Sequence, residues 1–150
     1  MKLSFHCPLE YPSEFIVSNF NESLFRSLAP PFPRLILHRF DGTRKGDKVE
    51  LSLDFFFFKW NWSSLITESE QTETGLKFVD EGTILPPFLS YWHHTHTIGK
   101  NQNTCFIRDE IQFEAGKYWP SFLVMFMVWI QMAPRKFLYR KYFRHCKAIS

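Results

Sequence analysis

Along residues 1–114 apolar and polar positions mostly alternate with a period of two, and beyond Trp119 the spacing becomes helical. Leu3, Phe5 and Cys7 alternate with Lys2, Ser4 and His6, which predicts a short strand over residues 2–7. Behind Pro8, residues 12–20 read as a short helix, with Ser13 as its cap and Phe15, Ile16 and Phe20 as its apolar stripe. Asn21 is placed to cap a second short helix ending near Leu28, stopped by Pro30, Pro31 and Pro33. From Arg34 the pattern is β. Residues 35–40 run to a turn at Asp41 and Gly42. Residues 48–58 then alternate, with Val49, Leu51, Leu53, Phe55 and Phe57 on one face and Glu50, Ser52 and Asp54 on the other. Further strands are expected over residues 60–69, 76–81, 88–98 and 104–114, joined by turn-rich or proline-containing links. The helical tail from Trp119 carries Pro120 in its first turn and a kink expected at Pro134.

A strand, two short helices, an antiparallel meander of about six strands and a long terminal helix predict an α+β domain. The helix lies across a curved antiparallel sheet and leaves a space between them. At 150 residues, without repeats or low-complexity linkers, the chain is expected to form one domain, 1–150.

Composition adds a demand to this outline. The chain holds 18 Phe, 5 Trp and 5 Tyr, which excludes disorder and requires a large core, a ligand cavity or an apolar docking face. Strand parity sends Phe55, Phe57, Phe78, Phe88 and Phe113 inward, and Phe122 and Phe126 lie on the helix expected to close the space. Phe56, Phe58 and Phe106 have the opposite parity and suit contact with a partner.

Charge is polarised. Residues 1–114 carry 11 Lys and Arg against 15 Asp and Glu, whereas residues 115–150 carry seven Lys and Arg and no acid. A basic tail complements a helix dipole or an anionic surface. Nucleic acid is not an expected partner, because the acidic remainder extends no basic groove. Residues 119–134 are too few and too interrupted to span a bilayer. Residues 122–130 are nevertheless apolar all round and need cover from the chain itself, a second copy or a membrane surface. Three dispersed cysteines without a CxxC pair, and no visible secretory signal, point to the cytoplasm, with membrane association as a second expectation.

The candidate chemistry comes from polar residues with inward parity. Cys105, Ile107, Ile111 and Phe113 define the interior face of the last strand, and Asp109 shares it. On the preceding strand Phe88, Trp92, His94, His96 and Ile98 share parity, while His93 points outward. A hairpin turning near residues 99–103 brings Asp109 opposite His94 or His96, and Asp80 lies on the same face one strand further over with Phe78. Three readings of His94, His96, Asp109 and Asp80 stand open. They can be a hydrogen-bonded pair holding the sheet, the polar end of a site for an apolar ligand, or a metal or acid/base centre. The cavity candidates are these four with Trp92, Phe78, Phe113, Leu53 and Phe55; no catalytic residue, metal or cofactor is assigned. No phosphate-binding glycine loop, Gly-x-Ser-x-Gly elbow or His-Glu-x-x-His helix is present.

Several motifs then resemble a known group. Ser13-Glu14-Phe15-Ile16 followed by Leu28-Ala29-Pro30-Pro31-Phe32 resembles the opening of START-like proteins of the SRPBCC superfamily, which includes START, Bet v 1, polyketide cyclase and lipid-transfer relatives. In the bacterial ligand-binding branch a helix leads into a Leu-Thr-Pro-Pro-like turn; Ala29 replaces the Thr here. Gly46-Asp47-Lys48-Val49 is similar to that branch's Gly-x-x-Val strand. Phe78-Val79-Asp80, Leu85-Pro86-Pro87-Phe88 and Trp92-His93-His94-Thr95-His96 resemble its Phe-x-Asp, Gly-Pro-Phe and Trp-x-His-x-His block, with Leu85 where Gly is usual. Asn103-Thr104 and Asp109-Glu110-Ile111 resemble a Gly-Thr and Asp-x-Val strand, with Asn103 replacing Gly, and Phe137-Leu138-Tyr139-Arg140 resembles the Phe-x-Tyr-Arg end of the long helix. The resemblance implies a helix-grip fold with a cavity between sheet and helix. It implies binding or transport of a hydrophobic small molecule or lipid, with a cyclase- or dehydratase-type enzyme using the His–Asp pair as the alternative.

Overall fold

In the computed structural model, which describes residues 1–102 and 104–150, seven strands form one antiparallel sheet. They are β1 (Lys2–Leu9), β2 (Arg34–Phe40), β3 (Lys48–Asp54), β4 (Lys59–Thr72), β5 (Gly75–Ile84), β6 (Leu89–Asn101) and β7 (Thr104–Ala115). The order across the sheet is β1-β7-β6-β5-β4-β3-β2, so the meander from β2 to β7 runs between neighbours and β1 closes onto β7. Helices α1 (Ser13–Ser18) and α2 (Glu22–Ser27) occupy the passage from β1 to β2, and α3 (Ser121–Met132) and α4 (Arg135–Ile149) follow β7. The curved sheet gripping a long C-terminal helical segment is the helix-grip fold.

Period-two burial fixes which strand face receives the helices. On β7, Cys105, Ile107, Asp109, Ile111 and Phe113 are buried while Arg108, Glu110 and Gln112 are exposed. Two apolar clusters result. Ile16 and Leu24 pack with Tyr139 and Phe143 of α4 over Phe78, Ile98 and Ile107. Val124, Val128 and Met132 of α3 pack over Leu51, Phe88, Ile111 and Phe113. Each such side chain taken fully from water contributes about 1.5–3 kcal/mol, which offsets the cost of ordering the segment that carries it.

Several local expectations are corrected. Asn21 caps α2 as expected, accepting from the Leu24 N–H at 3.2 Å. Ser13 does not cap α1; Pro12 holds the N-cap position, and no side chain closes that end. Pro120 likewise sits at the N-cap of α3 instead of inside its first turn. The alternation over residues 48–58 does not continue as strand, because β3 stops at Asp54 and residues 55–58 reverse the chain into β4. The Phe55 N–H donates to Phe58 O at 2.9 Å, and the Asp54 carboxylate accepts from the Phe56 N–H at 2.9 Å. Phe57 is therefore 98 % exposed instead of interior.

The terminal helix breaks instead of merely kinking. Pro134 has no N–H to extend α3, which ends at Met132, and its carbonyl starts α4 by accepting from Phe137 and Leu138 at 3.0 Å each. Phe122 and Phe126, expected to close the cavity, face outward, since residues four apart share one helix face and the buried face is Val124, Val128 and Met132. Asn103, one departure from the resemblance, lies outside the described residues; β6 and β7 pair up to Asn101 opposite Thr104. Among the described residues no helix is long and apolar enough to cross a membrane.

Candidate ligand-binding site

Three adjacent strands, β5, β6 and β7, carry the polar cluster. Antiparallel register sets Asp80 opposite His94 and His96 opposite Asp109, and the pleat turns all four to the helix side of the sheet. Each imidazole consequently lies between two carboxylates. His94 Nε2 donates to Asp109 Oδ1 at 3.1 Å, and its Nδ1 is 3.5 Å from Asp80 Oδ2. His96 Nε2 donates to Asp80 Oδ2 at 3.0 Å. Its Nδ1 comes within 2.9 Å of Asp109 Oδ1 but is not aligned for a hydrogen bond, and it has no other partner. The two rings lie 3.7 Å apart, with Phe78 stacked on His96 at 4.4 Å. His93 points away from the cluster to Glu81, 2.9 Å distant.

Helix α4 closes the cluster from the other side. The Tyr139 hydroxyl donates to Asp109 Oδ2 at 3.0 Å, and Arg135 brings Nη1 to 3.9 Å from Asp109 Oδ1. Trp92 Nε1 donates to Asp80 Oδ1 at 3.1 Å. Asp109 is 1 % exposed, so its charge persists only because these donors surround it.

Titration follows from that enclosure. Burial pushes the His94 pKa down, the neighbouring His96 adds to the effect, and the value falls to about 4 despite Asp109 and Asp80. Burial also opposes charge on His96, but the carboxylates of Asp109 and Asp80 on either side of the ring outweigh it and raise the pKa. Burial would raise both carboxyl groups. For Asp80 the His96 hydrogen bond and the two imidazoles prevail, and for Asp109 the His94 and His96 interactions do; both end below the usual range, Asp109 well below. Burial and the Asp109 charge raise Tyr139 well above its ordinary value, so it remains a donor. His94 is thus held neutral near pH 7 among two carboxylates and the Arg135 guanidinium, while the charged form of His96 is favoured relative to a free imidazole.

Beside this cluster lies a cavity of about 150 Å³ under α2 and the α3–α4 junction. Leu24, Leu28, Val49, Leu51, Trp62 and Ile66 form apolar wall, and Asp80, His94, His96 and Arg135 form one polar end. Of the residues singled out from sequence, Leu53, Phe78, Asp80, Trp92, His94 and His96 reach this wall. Asp109 and Phe113 do not; they are buried behind it, Asp109 acting through the imidazoles. Phe55 does not reach it either, because it belongs to the turn and stacks on Phe58 at 4.9 Å. Sequence reasoning misses Arg135 and Tyr139 as site residues, since Arg135 reads as one more cation of the basic tail and Tyr139 enters only through a motif resemblance. Their spacing of four on one helix face is the available signal.

No family model and no curated protein matches the chain. Solved structures do. The Zhui aromatase/cyclase from Streptomyces sp. R1128 superposes with a TM-score of 0.71 at 11% identity, over 96% of this chain and 93% of that one. A STAR-related lipid transfer protein fragment from Xanthomonas axonopodis gives 0.64 at 14% identity, over 95% and 85%. Norcoclaurine synthase from Thalictrum flavum gives 0.64 at 10% identity, over 94% and 84%. These structures share the helix-grip fold of this chain.

Proposed function

We propose that the chain binds a small hydrophobic molecule in the cavity between the sheet and the C-terminal helices. One observation carries this reading: an apolar cavity ends against the polar side chains of Asp80, His94, His96 and Arg135, which is how a ligand site combines affinity with orientation. Its volume of about 150 Å³ suits a single ring or short chain better than a full lipid. The names of the structural neighbours, a cyclase and a lipid transfer protein among them, support ligand binding by fold analogy alone. Three buried free thiols, Cys7, Cys105 and Cys146, support a reducing, cytoplasmic setting.

Trp62 and Trp92 stand in the wall, so occupancy should quench or shift tryptophan emission. Titration with an apolar ring dye is expected to give saturable one-site binding, and Leu51→Phe, which fills the wall, is expected to weaken it at least tenfold with unchanged circular dichroism. Equal binding by a folded Leu51→Phe protein overturns the assignment.

Two further readings each rest on an observation. His96 and Asp80 face the cavity together, the arrangement a cyclase- or dehydratase-type enzyme needs for moving a proton at a bound substrate. Such an enzyme requires His96→Gln to retain ligand and lose turnover. Separately, the outer face of α3 is apolar and uncovered, which favours docking on a membrane surface or a second copy of the chain.

A further inference from the structure

We infer that Asp80, His94 and His96 form a site for a divalent transition-metal ion of the zinc type, with Asp109 as the carboxylate that orients both imidazoles. The inference goes beyond the cavity reading and shares only the site's location. Asp80 Oδ2 lies 3.5 Å from His94 Nδ1 and 3.0 Å from His96 Nε2. Donor atoms about 2.0–2.1 Å from a tetrahedral ion are about 3.3–3.4 Å apart, so these separations bracket what an ion requires. One ligand atom from each of the three residues falls within 4.8 Å of the others.

Proton accounting supports the same position. His94 Nε2 is taken up by Asp109, so a coordinating His94 would use Nδ1, which faces Asp80 Oδ2 at 3.5 Å. Coordination through His96 Nε2 displaces the proton it holds toward Asp80, which is released to solvent, and leaves the other on Nδ1, 2.9 Å from Asp109 Oδ1. Asp109 then accepts from the His94 Nε2–H and lies 2.9 Å from His96 Nδ1, within reach of that N–H after a small ring rotation, the outer-shell pattern that fixes tautomer and ring orientation in metal sites. Arg135 Nη1, 3.9 Å from Asp109 Oδ1, offsets part of that carboxylate's charge. Two nitrogens and one carboxylate oxygen leave a fourth position toward the cavity, as in zinc sites with an open position.

The test uses the full chain, stripped with a chelator and kept free of organic ligand. Zn²⁺ titration against a chromophoric chelator is expected to show one site per chain, weakened about 100-fold or more by Asp80→Asn and by His96→Gln and unchanged by His145→Ala. Co²⁺ substitution is expected to give tetrahedral visible bands without thiolate charge transfer. No stoichiometric Zn²⁺ binding, or binding that folded Asp80→Asn and His96→Gln proteins retain, overturns the site. If either variant fails to fold, the wild-type Co²⁺ spectrum decides: absent tetrahedral bands, or a thiolate band, overturn it. Dye binding by the metal-free chain reports separately on the cavity.

Discussion

Asp109 has the most to lose among single residues. It is 1 % exposed and faces His94, His96, Tyr139 and Arg135, so removing it strands buried donors as well as deleting a charge. Asp109→Ala is therefore expected to cost about 3–5 kcal/mol in urea unfolding, as breaking a buried ion pair from one side does. Tyr139→Phe removes one hydrogen bond to the carboxylate and should cost about 1.5–3 kcal/mol. A loss of under about 1 kcal/mol for Asp109→Ala would mean the cluster is not the closed network described. Half of this network is legible in the amino-acid sequence. Inward parity places Asp109, His94, His96 and Asp80 on one face, since period two has no freedom within a strand. Arg135 and Tyr139 escape that logic, because a helix rotates freely against a sheet until packing fixes it; nothing local in a basic tail marks which cation turns inward.

At the scale of elements, the strand end missed at residues 55–58 has a clear cause: apolar residues continue a periodic pattern past the point where hydrogen bonding ends it. The four phenylalanines at 55–58 lack Gly, Pro or Asn, so they read as strand, yet Asp54 provides the turn by accepting from the Phe56 N–H. Phe56 is thereby held at φ 72°, a left-handed conformation that disfavours an aromatic residue. Phe56→Asn is expected to stabilise the hairpin by about 1 kcal/mol, read as a rise in Tm, although it gives up the 5.8 Å stack on Phe32. A fall in Tm would show that the stack outweighs the backbone strain. The cap at Asn21, by contrast, is legible from its position alone. Its Oδ1 serves the Leu24 N–H and also accepts from the Tyr142 hydroxyl at 3.3 Å, tying α2 to α4. Asn21→Ala should cost about 0.5–2 kcal/mol by the same unfolding measurement.

Over the whole molecule, the phenylalanine excess divides between two places. Phe78, Phe88, Phe113 and Phe143 fill the interior, while Phe56, Phe57, Phe58, Phe122 and Phe126 stand on the surface. The aromatic chain Phe55, Phe58, Trp60 and Trp119 runs from the exposed turn to the foot of α3 through contacts of 4.9, 4.9 and 6.1 Å, linking the two uncovered regions. Beyond them, α4 exposes Lys136, Arg140, Lys141, Arg144 and Lys147, and no acid occurs after Glu114. Apolar tips beside an acid-free basic helix match an anionic bilayer surface in both hydrophobicity and charge, each supplying one of the two attractions that interfacial binding needs. A second copy of this chain would instead bring the same basic helix against itself unless α4 stayed outside the interface. Co-sedimentation is therefore expected with vesicles containing phosphatidylserine, to decline in pure phosphatidylcholine, and to fall with salt as screening shortens. Phe57→Ser with Phe126→Ser should reduce binding at low salt, and Lys141→Glu with Arg144→Glu should reduce it only on anionic vesicles. Equal binding to both vesicle types would remove the charge argument, and concentration-dependent dimerisation abolished by Phe126→Ser would assign the α3 face to a second copy instead.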